Sequence, residues 1–228
     1  VYTGLKEGET VHNHDAMDKA LKAAVDTILT KPNGKIDPYW MKGIDKILDE
    51  HIGAVPRDFV YEGETYTPET FRNYLGIDPY SYINITSFTH HPFGESFILE
   101  IPDNFSRGEF FNVPIDEMQQ LVQDALIAGY TVAWDADVSE KGFSFSHGVA
   151  LLPAKGEEEK LWKEEVVEAV VTQESRQMGF EDQTTTDDHL MHITGLASDQ
   201  SGNKYFIVKN SWGQNNPYGG HQYVSMAY

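Results

Sequence analysis

Apolar positions in the first third of the chain recur at helical spacing. Met17, Leu21, Ala24, Val25 and Ile28 share one face of a helix that the Lys31-Pro32-Asn33-Gly34 turn ends. A second helix is expected after Asp37 as cap and Pro38 in the first turn. Trp40, Met41, Ile44, Ile47 and Leu48 form its apolar stripe, and it stops near Gly53. Thr67-Pro68-Glu69 opens a shorter third helix that closes at Gly76. From Tyr82 the pattern changes to short alternating or apolar runs, and 82–88 and 97–101 are expected strands. The most regular helix begins at Pro114, carries Ile115, Met118, Val122, Ala125 and Leu126 on one face, and ends at Gly129. Residues 130–138 then predict a strand and 157–171 a surface helix with an acidic start. Residues 189–196, 204–209 and 222–226 predict three strands between Gly and Asn turns. Helices gathered first and strands last give an α+β arrangement, with 1–81 a helical region and 82–228 a strand-rich domain.

Charge narrows the partners. Thirty-six acidic against 17 basic residues give a formal charge of −19 over 228 residues. Such a surface repels nucleic-acid phosphates and anionic lipid, and no apolar run approaches the roughly 18 residues of a membrane span. Neither nucleic acid nor membrane is an expected partner. The acidity reads chiefly as a solubilising surface, and secondarily as a field favouring substrates with a free amino group. The chain has no cysteine, which excludes disulfides, cysteine zinc sites and a cysteine nucleophile within these residues. The first ten residues do not form a signal peptide.

The chemistry concentrates near the end. The strand Lys204–Lys209 runs into Asn210-Ser211-Trp212-Gly213, which places an amide and a bulky indole at a strand end. An asparagine does not titrate, so in a catalytic site it can only orient another group. The natural group to orient is an imidazole, which acts as a base only when one ring nitrogen is pinned in the right tautomer. His189 and His192 lie on the preceding strand. Three positions apart, they point to opposite faces, so they cannot share a metal site and only one of them can face Asn210.

The run from Asp188 to Leu196, followed by Asn210-Ser211-Trp212-Gly213 and Gly219-Gly220, resembles the C-terminal signature of papain-like cysteine peptidases. The 21 positions between His189 and Asn210 suit the single hairpin that separates the two motifs in that family. Thr89-His90-His91-Pro92-Phe93, Asn112 to Asp116, Val132 to Ser139 and Thr172 to Arg176 are similar to the bleomycin hydrolase and aminopeptidase C branch. The resemblance implies a papain-type fold with the first 81 residues as a helical insertion. It also implies peptide substrates cut at their N-terminal bond, no metal or cofactor, a hexameric ring and a cytoplasmic location, though the chain is also compatible with a secreted or periplasmic one. By the same resemblance His189 is the catalytic histidine, Asn210 its orienting partner, and Trp212 the indole that screens their hydrogen bond. The branch's cysteine, with a glutamine just upstream, belongs to a segment preceding everything aligned here, and nothing in Val1 to Thr10 is similar to it. The branch also continues past its last strand, whereas this chain stops at Tyr228. Both ends therefore read as cut, and the 228 residues alone are expected to be inert. The alternative is a non-catalytic peptide-binding or interaction protein of the same fold.

Other candidates read as structural. His12 and His14 are expected in a solvated loop, His90-His91 in a turn, and Asp135 and Asp137 at a strand end meeting solvent. Glu157-Glu158-Glu159 is expected at a helix start, favoured by the dipole. Ser144 and His147 are close in sequence, but the Gly-x-Ser-x-Gly turn of a serine hydrolase is missing.

Overall fold

The computed structural model describes residues 14–30 and 35–228. They fall into two compact units, one ending at Tyr82 and the other spanning Ile83–Tyr228.

In the first unit, α1 (Asp15–Leu29) packs against α2 (Trp40–Ile52), with His14 at the N-cap of α1. The expected cap of the second helix shifts by two residues. Tyr39 takes the N-cap, and Asp37 accepts its N–H at 2.9 Å. Gly53 ends α2 at φ 83°, a left-handed value that suits glycine. The turn 31–34 and His12 lie outside the described residues. A hairpin of β1 (Phe59–Tyr61) and β2 (Glu64–Tyr66), not read from the sequence, lies against α3 (Pro68–Tyr74). Phe71 of α3 anchors it, edge-on to Phe59, Tyr61 and Tyr66 at 5.1–5.3 Å between ring centroids. Thr67 and Thr70 close a capping box at the start of α3.

The second unit holds two sheets. β3 (Ile85–Thr86), β4 (Ser96–Ile98) and β5 (Glu109–Asn112) form a small sheet in the order β3-β5-β4. Phe88, Phe97 and Leu99 are its buried cluster. After α4 (Ile115–Ile127) come β6 (Val132–Ala136), β7 (Phe143–Ser144), β8 (Val149–Ala150), α5 (Gln173–Glu181), β9 (His189–Ser198), β10 (Lys204–Lys209) and β11 (His221–Ser225). Six of these strands form the main sheet, in the order β6-β9-β10-β11-β8-β7. Only the β11–β8 pair is parallel. Its core is Ala136, Ala150, Met191, Ile193, Val208 and Val224, with Val122 and Leu126 of α4 packed against it. The mixture of helices and antiparallel sheet is the expected α+β class.

One expected helix is absent. The stretch 157–171 holds only a three-residue 3₁₀ turn at Glu158–Lys160, and Trp162 sits at φ 66°. Backbone pairing captures the remainder: Ala154 N–H donates to Val167 O at 2.8 Å and Ala169 N–H to Leu152 O at 2.8 Å. A strand-like edge therefore overrides the helical periodicity. The helix that does form, α5, starts just afterwards with a Thr172/Ser175 capping box. Its Gln173 and Gln177 tie it to the start of α4 and to the turn after β3, their Oε1 atoms accepting from Ile115 N–H (2.8 Å) and Thr89 N–H (2.6 Å).

Candidate active site

Register decides which residues of the main sheet meet. On β10 and β11, Phe206 faces Val224 and Val208 faces Gln222, so even-numbered positions share the inward face. On β9 the face changes partway. Phe206 pairs with Leu196 and Ile207 with Gly195, but Val208 pairs with Ile193, which leaves Thr194 as an extra residue in a bulge. Without that bulge, even-numbered positions would continue inward and bring His192 to the Asn210 face. With it, Ile193, Met191 and His189 turn inward. Met191 and Ile193 are buried, whereas His192 is exposed and bonds Thr131 Oγ1 through Nε2 at 2.7 Å.

His189 and Asn210 are thereby diagonal neighbours on one face, at the start of β9 and just past the end of β10. His189 Nε2 lies 2.9 Å from Asn210 Oδ1. The amide's orientation is fixed on both sides. Oδ1 also accepts from Ser211 N–H at 2.7 Å, and Nδ2 donates to Gln222 Oε1 at 3.0 Å. An oxygen that only accepts requires the proton on His189 Nε2, so the neutral ring keeps its lone pair on Nδ1. Asn210 is 5% exposed and His189 half-buried. The Trp212 ring lies over His189 with centroids 4.7 Å apart and planes inclined by 30°. Phe143 and Phe145 meet Trp212 edge-on at 5.8 and 5.5 Å. The three residues singled out in the sequence are therefore brought together.

Two nearby residues were missed. Asp137, expected at a solvent-facing strand end, is 5% exposed. Ser139 N–H and Oγ donate to its Oδ1 at 2.8 and 2.7 Å, and Thr186 N–H donates to its Oδ2 at 2.9 Å. Burial pushes its carboxyl up, but the Ser139 and Thr186 hydrogen bonds outweigh it and hold the group below the usual aspartate range. Asp137 thus pins the approach to His189. Asp137→Asn would turn donors on donors and cost about 2 kcal/mol at neutral pH. Because the folded value is depressed, that stability is present above the ordinary aspartate range and lost as pH falls through the folded value. Thermal melts from pH 7 to pH 3 should show the gap between wild type and variant closing on the acid side. The second is Gln222, on an inward position of β11. It has no exposure, and its Nε2 has no hydrogen-bond partner among the described residues. A buried NH2 left unpaired costs about 1–3 kcal/mol. A glutamine at an inward position of an apolar strand was the available signal.

Asp135 is exposed, and its carboxyl is held above the usual range by desolvation first and then by Asp187, Asp103 and Asp188. Asp187 Oδ2 is itself buried without a hydrogen bond among the described residues.

Among the described residues, His90, His91 and Glu100 are the one group with the composition of a metal site. Their wiring is that of a clip. Gln177 Oε1 is committed to Thr89 N–H, so its NH2 faces His90 Nδ1 at 3.0 Å. The His90 proton must then sit on Nε2, which donates to Glu100 Oε2 at 3.2 Å, while His91 Nε2 meets Oε1 at 2.7 Å. A ligating Nε2 would need the opposite tautomer. The His91 hydrogen bond, with the weaker one from His90, holds Glu100 below the usual carboxylate range despite partial desolvation. The histidine pair is the expected structural turn, and Glu100, which pins it, was not foreseen. Ser144 Oγ meets His147 Nδ1 at 2.7 Å, and His147 stacks on Trp162 at 4.8 Å. No carboxylate orients that ring among the described residues, so the pair lacks the third member of a catalytic triad.

No helix among the described residues is long and apolar enough to cross a membrane. No curated protein matches the sequence. The crystal structure of PepW from Lactobacillus rhamnosis HN001 (DR20) superimposes with a TM-score of 0.63 at 20% identity, over 93% of this chain and 50% of that one. This chain thus spans half the length of that relative. The bromelain protease from Ananas comosus, solved in complex with the E64 inhibitor, gives a TM-score of 0.28 at 17% identity, over 49% of this chain and 36% of that one. The superposition on PepW identifies the fold as papain-like. Residues 57–228 match the model of the Peptidase C1-like family, and the chain belongs to that family.

Proposed function

We propose that the chain supplies the histidine and asparagine of a cysteine aminopeptidase, acting with a cysteine carried on a segment outside these 228 residues. The observation that carries the reading is the 2.9 Å contact between His189 Nε2 and Asn210 Oδ1 beneath Trp212, which leaves Nδ1 free to act as the base. In this reading Nδ1 takes the thiol proton, and the thiolate attacks the carbonyl carbon of the first peptide bond. A C–S bond forms and the carbonyl π pair moves to oxygen. As the carbonyl re-forms, the C–N bond breaks and the imidazolium returns its proton to the departing amine. Water then attacks the thioester, Nδ1 accepts its proton, and the thiol leaves reprotonated. No step needs a metal. The preference for peptide N-termini is supported by the sequence resemblance.

The test is hydrolysis of an aminoacyl coumarin amide by the protein from the complete reading frame. Activity that iodoacetamide abolishes, with none from the 228 residues alone, is the expected result. Turnover by the 228-residue chain that survives iodoacetamide would overturn the reading. A complete protein that binds peptides without cleaving them would favour the non-catalytic alternative.

A further inference from the structure

Gln222 holds an odd position in the main sheet. It stands opposite Val208 as the second residue of β11, on the face that carries Val224, and is the largest fully buried side chain described. A glutamine side chain can form up to four hydrogen bonds, yet among the described residues it has the Oε1 contact from Asn210 Nδ2 at 3.0 Å alone, and its Nε2 has none. A methionine would fill almost the same volume without burying an unpaired donor. Stability therefore does not explain the residue, and the acceptor that it offers to Asn210 does.

We infer that Gln222 is a positioning residue, whose carbonyl holds the Asn210 amide with Oδ1 toward His189 and so sets the tautomer and aim of the ring. The inference rests on the reading of His189 as the base. The geometry is a diagonal relay across three strands: Gln222 on β11, Asn210 after β10, His189 on β9. Each polar side chain lies on the inward face and each is one diagonal step from the next. Turning the Asn210 amide over would set Nδ2 against Ser211 N–H and, with Gln222 oriented as it stands, Oδ1 against Gln222 Oε1, so both contacts oppose the wrong orientation. With Gln222 gone only the Ser211 contact remains. Asn210 Nδ2 is then unpaired and buried, and the amide must swing to find a partner, carrying Oδ1 away from the ring.

The experiment uses the 228-residue chain and needs no activity. Long-range proton–nitrogen correlation spectra of the His189 imidazole report the tautomer of the neutral ring. Exchange of its Nε2 proton with water reports how firmly that proton is held. Wild type should show the Nε2–H tautomer alone. Gln222→Met should populate both tautomers and exchange about tenfold faster, the factor expected for losing one net hydrogen bond. Gln222→Glu, which keeps an acceptor at the same reach, should restore the wild-type pattern. Thermal unfolding of Gln222→Met should stay within a few degrees of wild type, since one unpaired buried amide replaces another. A single Nε2–H tautomer with unchanged exchange in Gln222→Met would overturn the inference, and so would failure of that variant to fold, because either result makes Gln222 structural. In the complete protein the same variant should lower kcat with little change in KM. If the tautomer shifts as stated but no thiol-dependent hydrolysis is found in the complete protein, the relay stands and the peptidase reading falls.

Discussion

Replacing His189 by alanine in the catalytically complete protein is expected to lower kcat/KM by about 10²–10⁴, the usual contribution of a positioned general base. The loss should fall on kcat, because in the proposed mechanism the imidazole moves protons in the transition state and contributes little to holding the ground-state peptide. Two effects act together. Without the ring the thiol is ionised only to the extent of its own acidity, and the departing amine has no acid to protonate it. Asn210→Ala should cost less, since it leaves both functions in place and removes only the constraint on the ring. His192→Ala should be silent in the same assay: its side chain is on the outer face, bonded to Thr131. Equal losses from His189→Ala and His192→Ala would place the base elsewhere, and an unimpaired His189→Ala enzyme would remove His189 from the mechanism.

That contrast also marks how far the sequence reaches. The Asn-Ser-Trp-Gly run and the histidine strand are local motifs, so the half-site was legible as soon as both were aligned. Periodicity alone could say only that His189 and His192 face opposite ways. What selects between them is the bulge at Thr194, and a bulge is fixed by the pairing of β9 with β10, which no window along one strand records. Without the family motif the choice would have been open. Asp137 was misread for a related reason. Its burial comes from Thr186, 49 positions away, whose backbone N–H it accepts. The acidic stretch 157–171 has a helix-like pattern, but its backbone is claimed by Leu152 and Ala154. Gln222 was legible only as the first residue of a strand, since its one partner arrives from the neighbouring strand. In each case the information is a contact distant in sequence, and in each it bears on how His189 is held or on the edge of the sheet that holds it.

The largest effect on folding is expected from Gly142→Ala. A Cβ at that position would stand 1.7 Å from Leu151 O and 2.8 Å from Leu151 C, and both are backbone atoms that cannot rotate away. The two chains approach this closely because Leu151 N–H donates to Gly142 O at 3.0 Å, just beyond the β7–β8 pairing of Phe143 with Ala150. Making room means parting β7 from β8. Ala150 is fully buried in the main core and Phe143 packs against it, so the opening reaches the core directly. A penalty of about 3–5 kcal/mol follows from overpacking that only backbone movement can relieve, and a fall in Tm of roughly 10 °C or more for a chain of this size. Gly43→Ala is the internal control. That glycine is in the interior of α2 with nothing within 4 Å of the added methyl, so alanine should raise stability by up to about 1 kcal/mol. The damage at Gly142 should also register at the site. Phe143 is the next residue and supports Trp212, which lies over the His189 ring. In any Gly142→Ala protein that still folds, the indole fluorescence and the His189 imidazole signals should shift together. A variant that melts like wild type would mean that the two backbones separate at little cost and that β7 is not braced against Leu151.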